Sequence, residues 1–160
     1  MTDQSKNARE LLVRILKSPE ELDMDHWYRK NSCGTAACLA GHSALLMGWK
    51  PCGDHTITFR DPANPHEYAD VSDLGQTFLG LDDETANLLF LGTRNTQALK
   101  VLDRAAQGEP ITVAMVREVL EEETDYSYRR QIVKTLQAKY LEPEELAEIQ
   151  ARAKTIREDV

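Results

Sequence analysis

Apolar side chains near the start of the chain recur at helical spacing: Ala8, Leu11, Leu12, Ile15 and Leu16 fall on one face of residues 7 to 17. Positions i, i+3, i+4 and i+7 align every 3.6 residues, so this pattern predicts an amphipathic helix. Ser18-Pro19 ends it, because proline cannot supply the N–H that a further turn would use. Met24 and Trp27, three apart, predict a single turn packed on the core, and Asn31 and Ser32 offer capping side chains.

Between about 34 and 49 the pattern changes. Ala36, Ala37, Leu39, Ala40, Ala44, Leu45, Leu46 and Met47 point in almost every direction around a helix. Such a helix is buried on most sides. The small residues Ala36, Ala37, Ala40, Gly41, Ser43 and Ala44 let neighbouring backbones approach, which makes this the expected central helix. Pro51-Cys52-Gly53 then predicts a turn, residues 56 to 59 a strand, and Asp61-Pro62-Ala63-Asn64-Pro65 another turn. Residues 68 to 71 pair back, giving a hairpin over about 55–71 that needs helices to pack on.

The second half reads as helices with clear punctuation. Ser72 caps a turn through Leu79, and Asp82 begins another helix, with Ala86, Leu89 and Phe90 on its inner face. A helix over 96–107 turns Leu99 and Leu102 inward, and Thr112 caps a helix over 113–123 with Val116, Val119 and Leu120 inward. Helices over 128–140 and from 143 to about 157 complete the chain. In the last, Leu146, Ile149, Ala153, Ile156 and Val160 form a narrow seam for one partner helix. That seam either docks on its own domain or leaves 141–160 protruding as a homodimer contact.

These elements predict a mainly α fold: a single-domain helical bundle, residues 1–160, around the buried helix at about 34–49 with the small β-hairpin at about 55–71. A chain of 160 residues buries roughly 70% of its unfolded surface in one core. With 41% hydrophobic and 29% charged residues, neither disorder nor a fibrous repeat fits. Residues 1–9 are polar and the first apolar run is broken by Arg14, so neither a signal peptide nor a membrane span is expected. Three cysteines, an odd count, then imply reduced thiols and a cytoplasmic setting. The net charge is −8, and residues 61–125 carry 14 acidic and 4 basic side chains. That acidic stretch repels phosphate backbones, which disfavours direct nucleic-acid binding.

Candidate chemistry concentrates in Cys33-Gly34-Thr35-Ala36-Ala37-Cys38-Leu39-Ala40-Gly41-His42. This segment resembles a family of small, uncharacterised bacterial and phage proteins sharing Cys-Gly-Thr, two residues, Cys, one residue, then Ala-Gly and often His or Trp. Leu79-Gly80-Leu81 with Leu89-Phe90, and Ile111-Thr112, extend the resemblance. It implies a phage or prophage setting and supplies no catalytic residue. The same segment also resembles the nucleophile helix of papain-like, bacteriocin-processing peptidases, with His55-Thr56-Ile57-Thr58 and Asp61-Pro62-Ala63 resembling a shortened form of their His strand and Asp. Only 21 residues separate Cys33 from His55.

Three readings of this segment follow. In the first, Cys33 and Thr35 satisfy free N–H groups at a helix start while Cys38 fills the core. In the second, a helix amino terminus lowers the pKa of Cys33, which acts as the nucleophile of a thiol hydrolase, with His55 as base and Asp61 as orienter. In the third, Cys38, His42, Cys52 and His55 bind a structural zinc ion, since Cys38 and His42 lie four apart and Cys52 and His55 form a Cys-x-x-His pair. The leading expectation is a small, non-enzymatic accessory protein of phage or prophage type without a cofactor. It binds a host protein through its acidic or carboxy-terminal faces, or a small-molecule ligand near Trp27, Thr35, His42 and His66.

Overall fold

Thr2 opens the first helix by accepting the Ser5 N–H on its hydroxyl, and α1 runs Asp3–Lys17. The computed structural model describes residues 2–32, 34–122 and 128–158, the side chains at 128, 129 and 155–158 excepted. A short 3-10 turn, Pro19–Glu21, leads to β1 (Tyr28–Asn31), β2 (Gly34–Ala37) and α2 (Leu39–Leu46). Three short strands follow, β3 (Lys50–Pro51), β4 (Thr58–Arg60) and β5 (Tyr68–Asp70). The rest is helical: α3 (Val71–Leu79), α4 (Asp83–Gly92), α5 (Asn95–Ala106), α6 (Val113–Glu121), α7 (Tyr128–Tyr140) and α8 (Pro143–Glu158). The fold is mainly α, as the periodicity predicts.

The helix caps are legible in the residues. Asp70, Asp82 and Thr112 each accept a backbone N–H from the first turn of the helix they precede, which satisfies donors with no partner inside the helix. For α3 the capping residue is therefore Asp70 rather than the expected Ser72. A single cluster of buried side chains runs from Ala8 to Leu141. Within it α1 packs chiefly on α5, and α2 chiefly on α3.

The central helix is shorter than its apolar content predicts. Residues 34–37 form β2, which pairs antiparallel with β1 in the register Tyr28↔Ala37 to Asn31↔Gly34. Alanine favours helix, but the backbone here is engaged elsewhere: Asp23 N–H donates to the Ala37 carbonyl at 2.9 Å and Cys38 N–H to the His26 carbonyl at 2.8 Å. Gly34, at φ +120°, sits in a region that side-chain-bearing residues rarely adopt, and it starts the returning strand. Asn31 and Ser32 lie at the turn of this hairpin instead of capping a helix. From Leu39 onward the burial expectation holds, with Leu39 to Ala44 all buried.

The expected hairpin is β4 against β5, with Phe59 opposite Ala69, and β3 joins it as a third antiparallel strand. Phe59 is fully buried and meets the Tyr28 ring edge-on at 5.6 Å between centroids. An Arg29↔His55 bridge ties this sheet to the β1–β2 hairpin. At the other end of the chain, α8 docks on its own domain: Leu146 and Ile149 pack against the core, and Lys17 pairs with Glu145 at 2.7 Å. Ala153 of the predicted seam is exposed. The Ile156 side chain and Val160 lie outside the described residues.

Candidate functional site

An aspartate and an imidazole organise the segment that joins α1 to β1. Asp23 Oδ2 accepts from His26 Nδ1 at 2.8 Å and from Arg29 Nη2 at 3.2 Å, while its Oδ1 accepts the Asp25 N–H at 3.0 Å. An ionised carboxylate can only accept, so the proton of neutral His26 lies on Nδ1 and its Nε2 lone pair faces away from Asp23. The ring of His55 stands 5.8 Å from that of His26, tilted by 59°. Backbone pairing holds His55 there: Lys30 N–H donates to the Asp54 carbonyl at 2.6 Å and Thr56 N–H to the Tyr28 carbonyl at 3.3 Å. Among the described residues the carboxylate–imidazole pair is thus Asp23–His26. The sequence signal for it, Asp-x-x-His, is short and common.

The residues expected to carry thiol chemistry are placed differently. Cys33 lies outside the described residues. The helix expected to activate it begins at Leu39, with Cys38 as the residue before its first turn. Asp61 accepts the Ala63 N–H at 2.8 Å within its own turn, beyond the end of β4 that is farther from His55. Thr35 is on β2 opposite Lys30, not at a helix start.

Cys38 and His42 are core residues. The Cys38 thiol is 1% exposed and points at the Trp27 carbonyl, 3.9 Å away. Burial pushes its pKa up to about 11. His42 is equally enclosed, and both ring nitrogens are engaged: Nδ1 accepts from Arg14 Nε at 3.2 Å, and Nε2 donates to the Glu21 carbonyl at 2.8 Å. Burial, with the Arg14 charge adding to it, lowers its pKa to about 4 even though the Glu21 carbonyl favours the protonated form. A neutral imidazole with no free lone pair is a brace between α1, α2 and the 3-10 turn. Cys52 is exposed beyond β3. Among the described residues no three His, Cys, Asp or Glu side chains stand together as metal ligands, so Cys38, His42, Cys52 and His55 do not form the predicted zinc set.

Nor do the four expected ligand-binding residues meet. His66 is exposed in the turn between β4 and β5, with its N–H on Asn64 Oδ1 at 3.3 Å. Thr35 is on the hairpin and His42 is sealed. Trp27 alone borders a hollow, where its ring meets Phe90 edge-on at 6.3 Å.

That hollow is one of two on either side of an exposed leucine. Leu91, at 71% exposure, is on the last turn of α4. On one side is a depression of about 230 Å³ bordered by Met24, Asp25, Trp27, Phe90 and Leu91, with Cys38 at its floor, 1% exposed. On the other is a depression of about 340 Å³ bordered by Glu84, Leu88, Leu91, Val113 and Arg117. Ala86, Leu89 and Phe90 form the buried stripe of α4. Glu84, Asn87, Leu88 and Leu91, spaced i, i+3, i+4 and i+7, form a second stripe that faces outward past α6. The run Leu88-Leu89-Phe90-Leu91 already contains this second face, since one helix side cannot bury four consecutive apolar residues.

Among the described residues no helix is long and apolar enough to cross a membrane. In comparisons with family models, curated proteins and solved structures, nothing matches this chain.

Proposed function

We propose that the protein is a non-enzymatic accessory factor, of the phage or prophage type that its Cys-Gly-Thr motif implies, and that it acts by binding another protein. The observation that carries this reading is Leu91, a large apolar side chain standing in solvent between an apolar hollow beside Leu88 and Val113 and a smaller, more polar one beside Asp25. Surface leucines are common singly, but one flanked by a depression on each side offers a ridge that interlocks with a partner. The partner is a basic amphipathic segment. Its apolar side chains enter the hollows, and its cationic flanks meet Asp25, Glu84 and the acidic stretch 61–125, which carries 14 acidic against 4 basic side chains. Charge of this kind raises the association rate and makes it salt-dependent.

The experiment places a photo-reactive amino acid at position 91, identifies the captured protein and measures its affinity for purified variants. Leu91→Asp is expected to weaken binding about tenfold or more, the loss typical of a central apolar anchor. Tyr68→Asp, which alters an exposed aromatic on β5, is expected to leave binding unchanged. Equal affinity for wild type and Leu91→Asp would remove this reading. So would turnover of a defined substrate that is abolished by Cys33→Ala.

A further inference from the structure

We propose that His26 and His55 form a two-imidazole site for a late first-row divalent metal ion of the zinc class. It is separate from the Leu91 ridge and shares only His55 with the zinc set expected from spacing. Three observations converge on it. The first is the tautomer: Asp23 accepts the Nδ1–H of neutral His26 at 2.8 Å, which leaves Nε2 as the lone-pair donor. A carboxylate behind the imidazole is the arrangement that orients most metal-binding histidines.

The second is spacing. A metal ion about 2.1 Å from an imidazole nitrogen lies roughly 3.2 Å from the ring centroid, so two rings sharing one ion have centroids no more than roughly 6.4 Å apart. The 5.8 Å between His26 and His55 is inside that limit, and at a 59° tilt the two rings are not stacked face to face.

The third is support and access. His26 is fixed by Asp23, which is itself held by Arg29 and the Asp25 N–H, and His55 is fixed by its backbone bridge to Arg29. His26 keeps 32% of its side chain exposed and His55 is exposed, so an ion can enter and water can complete its coordination. Imidazole donors suit Zn²⁺, Cu²⁺ and Ni²⁺, and two of them with water leave open positions, unlike a closed structural site. Arg29 adds a nearby positive charge that Asp23 offsets through their 3.2 Å contact.

The test is calorimetric titration of the chelator-stripped full chain with Zn²⁺ alone. One equivalent is expected to bind. His26→Ala and His55→Ala are each expected to weaken it at least tenfold, and Asp23→Asn, which keeps both ligands, about tenfold through lost orientation. His66→Ala, an exposed histidine elsewhere, and the Cys33→Ser, Cys52→Ser double variant are expected to match wild type. The site is overturned if wild type takes up no zinc, if either His26→Ala or His55→Ala binds as wild type does, or if uptake disappears in the double thiol variant.

Discussion

Gly75 of α3 lies against Ala40 of α2 so closely that a Cβ on the glycine would stand 2.7 Å from both the Cα and the Cβ of the alanine, and 3.0 Å from Phe90 Cζ. Backbone of one helix therefore touches backbone of the next, which is how the small residues of α2 are used. Gly41 repeats the relation on the same helix, where a Cβ would meet the Trp27 carbonyl at 2.1 Å.

Gly75→Ala follows as a stability prediction. Alanine gains up to about 1 kcal/mol of helix propensity over glycine. The new methyl group collides with helix backbone rather than with a movable side-chain end, and overpacking of that kind costs about 1–3 kcal/mol. The net expectation is destabilisation, seen as a lower midpoint in urea with the slope unchanged. A variant as stable as wild type would show that α2 and α3 have room to part.

His42 makes stability depend on pH. Its folded pKa of about 4 lies below the ordinary 6.5, so both states are neutral above 6.5 and the whole contribution of the neutral, hydrogen-bonded ring is present there. Between 6.5 and about 4 the unfolded chain takes up a proton that the folded chain refuses, and stability falls as pH falls. The loss attributable to this group by pH 4 is ~3 kcal/mol. In His42→Gln that part of the decline disappears, although the variant starts lower at pH 7 for want of the Arg14 and Glu21 hydrogen bonds. Unfolding free energies at pH 7, 5.5 and 4.5 check this, and parallel declines in the two proteins would refute it.

Local pattern was enough for α1, α5 and α6, which bury residues at three and four spacing, although α1 starts at Asp3, a turn before the predicted residue 7. It failed at 34–37, where alanine content argued for helix while the Asp23 and His26 backbones had claimed the same residues as a strand. Its partner strand, Tyr28–Asn31, is adjacent in sequence, but Gly34-Thr35-Ala36-Ala37 has no alternation of apolar and polar positions to mark it as a strand. The sites failed for a related reason. Spacing placed Cys38 beside His42, but both proved to be enclosed by α1 and the Trp27 segment, and only tertiary packing brought His26 within 5.8 Å of His55. The outward stripe of α4 is legible in Leu88-Leu89-Phe90-Leu91, because four consecutive apolar residues exceed what one buried helix side can take.

The two described thiols are expected to differ sharply in reactivity. Only the thiolate attacks an alkylating agent, and with a pKa near 11 about one Cys38 side chain in a thousand is ionised at pH 8. Even that fraction is shielded, since the residue is 1% exposed behind the Trp27 carbonyl. Cys52 stands in solvent beyond β3. Iodoacetamide at pH 8, followed by peptide mapping, should therefore mark Cys52 in the folded protein within minutes to hours and leave Cys38 unmodified until denaturant is added. Protection of Cys38 then reports opening of the contact between α2 and the Trp27 segment, and its labelling rate should rise in Gly41→Ala, whose methyl group pushes on the same carbonyl. Equal labelling of the two cysteines in the folded chain would mean that the thiol is not sealed and that α2 does not start where Cys38 places it.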